Sequence, residues 1–86
     1  MNIIQLSSII KEKIEKNIMT ESIYVEDKTF LHIKHKSHKE GRFHLRITIE
    51  SKELKEISKI ESNKKIYKIL SDEIKEYIHS IQILII

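Results

Sequence analysis

Eight consecutive residues, Phe43-His44-Leu45-Arg46-Ile47-Thr48-Ile49-Glu50, alternate between apolar and polar side chains almost without fault. A period of two belongs to a strand with one buried face, so Phe43, Leu45, Ile47 and Ile49 turn toward a core while His44, Arg46, Thr48 and Glu50 turn away from it. Such a strand is not stable alone: it requires neighbouring strands and a layer packed on its apolar side. The chain must supply both within 86 residues, a length that buries only about 60–65% of its unfolded surface. One modest core is expected, and residues 1–86 are read as a single small domain.

The flanking patterns meet that need. Ile3, Leu6, Ile10, Ile14 and Ile18 recur at spacings of three or four, the stripe of an amphipathic helix, with Asn2 as its N-cap. Ser22-Ile23-Tyr24-Val25-Glu26 is a short β-type run, and the polar stretch from Asp27 to Gly41 reads as a loop. After the alternating strand, a short helix is expected over roughly Lys52–Glu56. A longer one carries Ile66, Ile69, Leu70, Ile74 and Ile78 on one side. The chain closes with a strand on which His79, Ile81, Ile83 and Ile85 share a face. The order α-β-β-α-α-β predicts an α+β fold, a three-stranded mixed sheet covered by helices on one face, with the third strand returning parallel to the second.

Composition removes several classes of function. There is no cysteine, hence no disulfide scaffold, no CxxC redox pair and no thiolate zinc site. Gly41 is the sole glycine and proline is absent, which excludes the phosphate cradles GxGxxG and GxxxxGK(S/T). No hydrolase elbow is present and no pair of acids sits in an apolar context, so an enzyme is not expected. No window reaches the length of a membrane span and the N-terminus lacks a signal-peptide pattern, so the expected setting is cytoplasmic.

Charge and histidine concentrate together. Lys28, Lys34, Lys36, Lys39, Arg42 and Arg46 face a single acid, Glu40, giving the 28–46 window +5 in a chain whose net charge is +3. His32, His35, His38 and His44 lie in the same window, and His79 stands apart near the C-terminus. Such a window attracts an acidic protein, a phosphate or a nucleic acid, or is simply a solvated loop. Imidazole is the only strong nitrogen or sulfur metal ligand in the chain, and two imidazoles do not complete a metal shell. Metal held here therefore needs ligands from a partner. Otherwise His79 is a rim histidine packed on the helices, and His44, aimed away from the core, sits in water or supplements a ligand set.

Taken in order, Val25-Glu26-Asp27, Thr29, His32, His35, Phe43-His44-Leu45-Arg46-Ile47, Ser51, Ile66-Tyr67 and Ile78-His79-Ser80-Ile81 resemble the BolA-like pattern over nearly the whole chain. That pattern runs from an Asp-Ser opening through a histidine- or cysteine-bearing loop, a His-Phe strand and an Arg-His-Arg helix start to a His-Ala-Leu close. The chain departs from it at Leu45, where Phe is usual, at Glu56, where glycine is usual, and at Ser62-Asn63-Lys64, which replaces Arg-His-Arg.

The resemblance implies a KH-like fold and a non-enzymatic adaptor that is a monomer alone and a heterodimer with a monothiol glutaredoxin. It implies a 2Fe–2S cluster bridged between the two with glutathione, in iron–sulfur cluster assembly and trafficking or iron and redox regulation, and no cofactor in the isolated protein. Carried over by position, the strand ligand is His79 and the loop ligand is His32, with His35 as the runner-up. Two imidazoles on one iron resemble Rieske-type ligation, which raises the reduction potential. The alternative expectation is a nucleic-acid-binding transcriptional regulator built on the KH-like fold and the basic loop. Lys34, Lys36, Arg42, His44, Arg46 and Lys64 are the residues that would meet a partner protein or nucleic acid. A KH domain clamps the backbone with a GxxG loop, which a chain with one glycine does not contain.

Overall fold

A computed structural model describes residues 1–29 and 42–86. Helix α1 (Ile3–Asn17) opens with a capping box: the Gln5 amide N–H donates to Asn2 Oδ1 at 2.9 Å, and the Asn2 amide N–H donates to Gln5 Oε1 at 3.1 Å. Strands β1 (Ser22–Asp27) and β2 (Phe43–Glu50) follow, then α2 (Lys52–Lys55), α3 (Lys59–Ile69), α4 (Ser71–Glu76) and β3 (Ile78–Ile85). The sheet order is β1-β2-β3, with β1 antiparallel and β3 parallel to the central β2. This is the mixed three-stranded sheet expected from the alternation, with β2 in the middle.

Register explains the core. Ile23 pairs with Ile49 and Val25 with Ile47 on one side of β2, while Leu45, Ile47 and Ile49 pair with Ile81, Ile83 and Ile85 on the other. Paired residues point to the same face, so these side chains form one apolar floor. Leu6, Ile10 and Ile14 of α1, Leu54 of α2, Ile66 of α3 and Leu70 complete the cluster above it, all at 0–1% exposure. The α1 stripe is therefore buried as its spacing requires.

One expectation changes. The stripe Ile66, Ile69, Leu70, Ile74, Ile78 reads as one helix, but the backbone breaks at Leu70 (φ −99°, ψ 17°) into α3 and α4. Ile78 is the first residue of β3 and not the end of a helix. The fold thus has three helices between β2 and β3. Neither glycine nor proline marks the break. The only local sign is Ser71-Asp72-Glu73, residues suited to a helix start placed in the middle of the stripe.

A partly buried ion pair holds α4 against α1. Lys13 Nζ donates to Glu73 Oε2 at 2.7 Å, with Asp72 at 3.8 Å, and the Glu73 side chain is only 8% exposed. The hydrogen bond to Glu73 raises the Lys13 pKa above its ordinary 10.5, partly opposed by desolvation. A raised pKa contributes stability that is complete below 10.5 and is lost as pH rises through the folded value.

Two tests follow from this architecture. Ile47→Ala, at a fully buried position of the central strand, is expected to lower the unfolding free energy by about 2–5 kcal/mol. Ile60→Ala, 68% exposed on α3, should stay within about 0.5 kcal/mol; chemical denaturation measures both. Lys13→Met should melt below the parent chain at neutral pH, and the gap in thermal midpoint should narrow as pH climbs past 10.5.

Candidate functional site

The end of the sheet at which β2 begins gathers most of the chemically useful side chains. The β2–β3 register slips between Phe43 and His44: Phe43 pairs with Ile78, His44 with Ser80, and His79 is left without a partner. This irregularity takes His79 out of the simple alternation. Its ring meets that of His44, with centroids 4.7 Å apart and planes tilted by 53°. The expectation that His79 lies on the Ile81 and Ile83 face is corrected by the bulge, which strand parity alone does not anticipate. Among the described residues no hydrogen bond engages the His79 ring, which is half-buried.

His44 departs from expectation in another way. It does share with Arg46 the face of β2 turned away from the core, as alternation predicts, yet it is only 5% exposed and not in open water. Its Nδ1 lies 2.7 Å from Ser80 Oγ. Whichever of the two carries the shared proton, the bond fixes the ring against β3. Its backbone is held as well: the amide N–H donates to Thr29 Oγ1 at 3.2 Å and the carbonyl accepts from the Lys28 amide at 2.7 Å.

Thr29 is itself tied down, because its amide N–H donates to Asp27 Oδ1 at 2.9 Å and its hydroxyl donates to the same oxygen. On the far side of the 30–41 segment the Phe43 amide donates to the Tyr77 carbonyl at 2.9 Å. Both ends of that segment are thus fastened beside His44 and the start of β3. His32, His35, Lys34 and Lys36 lie outside the described residues.

The basic candidates separate. Arg46 Nε donates to Glu26 Oε2 at 3.1 Å across the β1–β2 pair, and Lys28 Nζ stands 3.3 Å from Glu26 Oε1. Lys28 and then Arg46 hold the Glu26 carboxyl below its usual range. Arg42 is half-buried just before β2. Lys64 is elsewhere, on the outward side of α3 with Ile60 and Tyr67, so it does not join this group. Ser62, at the first of the positions where Arg-His-Arg is usual, is buried and donates to the Lys59 carbonyl at 2.9 Å.

A cavity of about 260 Å³ opens at the same place, lined by Lys28, His44, Arg46, Ser80 and Gln82 together with Leu45 and Ile81. Lys28, Ser80 and Gln82 are not among the residues expected at the site. The signal for them is the register: once Arg46 is set opposite both Glu26 and Gln82, strand pairing brings them together. Among the described residues there is no group of three or more His, Cys, Asp or Glu able to hold a metal ion, and no helix is long and apolar enough to cross a membrane.

Comparison with known proteins agrees with the fold and with the family resemblance. The chain is 28% identical over 76 residues to the DNA-binding transcriptional regulator BolA of Haemophilus influenzae, covering 88% of this chain and 71% of that protein. The solved BolA domain of SufE1 from Arabidopsis thaliana superposes with a TM-score of 0.75 at 26% identity, covering 99% of this chain and 92% of the other. BolA1 from Arabidopsis thaliana shares the fold with a TM-score of 0.74 at 22% identity, over 91% of this chain and 86% of that one. The description of the BolA-like protein family matches residues 14–86, and the chain belongs to that family.

Proposed function

We propose that this protein is a non-enzymatic adaptor that pairs with a monothiol glutaredoxin and shares a 2Fe–2S cluster with it, serving cluster assembly and trafficking or iron and redox regulation. The observation that carries the reading is His79: a half-buried imidazole at the end of the sheet, its ring braced by His44 and engaged in no hydrogen bond among the described residues. A ligand must have a nitrogen lone pair to give, and neither ring nitrogen of His79 is committed to a hydrogen bond among the described residues.

The donor set fits a shared cluster better than a private one. The chain has no thiol, and its described residues offer no three-ligand group. Sulfur donors then come from outside, as a glutaredoxin cysteine and glutathione would provide. His32 is the proposed second ligand and His35 the runner-up. Support for His32 comes from chain connectivity. It follows the anchored Thr29 by three residues, a reach of at most about 11 Å, and Thr29 is bonded to the backbone of His44.

A second reading, nucleic-acid binding, draws on the name of the Haemophilus influenzae relative and on Lys59, Lys64, Lys65 and Lys68, all exposed on α3. Clustered cations of this kind bind phosphate backbones without sequence preference. Binding to a defined DNA site that survives physiological salt, with a measured specificity ratio, would favour this alternative.

Mixing the protein with a monothiol glutaredoxin, iron, sulfide and glutathione should give a heterodimer with a visible absorption and circular dichroism spectrum distinct from that of the glutaredoxin homodimer. His79→Ala should abolish that spectrum while the apo fold is retained. A cluster spectrum and lifetime unchanged in His79→Ala would overturn the ligand assignment.

A further inference from the structure

Among the described residues the cavity is lined by two cations, Lys28 and Arg46, and by no acid. Glu26 engages Arg46 through Nε and Lys28 through Nζ. Among the described residues, the terminal guanidinium nitrogens of Arg46 and the side-chain amide of Gln82 make no hydrogen bond. Two cations thus share one carboxylate at the rim of a cleft of about 260 Å³. Such a space is several times the roughly 30 Å³ that one water occupies in the liquid. A planar guanidinium with its terminal edge open is matched to a carboxylate. The contact between Arg46 and Glu26 shows that the group already binds one.

From this geometry we infer that the cleft of Lys28, Arg46, Ser80 and Gln82 is a binding site for a carboxylate of glutathione. The inference rests on the proposed function, since it takes the thiol of the same glutathione to be a sulfur donor near His79. In a tripeptide the thiol-bearing residue has a carboxylate-bearing residue on each side, so the acid groups lie on the order of 4–7 Å from it. Ser80 follows His79 directly, and His44 both touches the His79 ring and lines the cleft. A ligand whose sulfur lies near His79 therefore has its acid groups within reach of the cleft. The site would give the protein its own hold on glutathione, independent of the glutaredoxin.

The test uses the isolated full chain in the apo state. Its probe is S-methylglutathione, which keeps both carboxylates and has no free thiol. Titration followed by ¹⁵N NMR should give saturable shifts at Lys28, Arg46, Ser80 and Gln82, and the dialkyl ester of the same peptide should give none. Arg46→Gln should weaken binding. Glu26→Gln removes the competing internal carboxylate and should tighten it by roughly two- to five-fold, the size of one exposed charge interaction. A gain in affinity cannot arise from misfolding, which keeps the inference open to refutation if Arg46→Gln proves unstable.

Unsaturated or absent shifts at these residues, or a Glu26→Gln variant that binds more weakly, would overturn the inference. So would tighter binding of a short DNA duplex at the same residues, which would assign the cleft to a phosphate backbone. Peptide binding that survives His79→Ala while the cluster is lost supports both readings. Cluster formation with no peptide binding in the cleft removes this inference alone, and peptide binding in a parent chain that forms no cluster removes the function proposed above alone.

Discussion

The pairing of β2 with β3 is the constraint on which the rest of the molecule depends. A parallel neighbour cannot be reached by a tight turn, so the chain between the two strands must cross over the sheet. It does so with α2, α3 and α4, and these helices, with α1, bury the apolar side of β2. The same pairing sets the site. Had the ladder run without irregularity, alternation would have kept His79 on the Ile81 side. The slip between Phe43 and His44 instead places the two imidazoles in contact.

Much of this was legible in the residues. The alternation of Phe43–Glu50 gave the central strand, and the spacing of Leu6, Ile10 and Ile14 gave the buried side of α1 with its cap at Asn2. What periodicity could not supply were features decided by backbone geometry at residues without special chemistry. Leu70 breaks a helix with an ordinary side chain, and the bulge at Phe43 and His44 involves no glycine. Burial of His44 was hidden for a related reason. Alternation reports which face a side chain occupies, but not what else covers that face.

His79 lies in the Ile78-His79-Ser80-Ile81 stretch that resembles the close of the BolA-like pattern. The family pattern marks the residue by its place in an ordered set. The structure shows a ring braced by His44, which is itself oriented by Ser80. Around that pair the electrostatics are local: Glu26 draws Lys28 and Arg46 to one side of the sheet, while the lysines of α3 lie on another surface. Two cations of the +5 window, Lys28 and Arg46, are therefore committed to a specific carboxylate.

The hydrogen bonds held by the residues on either side of 30–41 have a consequence for changes of chain length between them. Thr29 and Lys28 hold one end to the His44 backbone, and Phe43 holds the other to Tyr77. Loop-closure entropy grows by only about 0.6 kcal/mol for each doubling of length. Lys28, Thr29 and Phe43 keep hydrogen bonds of their own whatever the number of residues between them, so the two rings stay in register. Changes there that spare His32 and His35, the proposed ligands, leave the fastened residues on either side and the contact between the two rings in place.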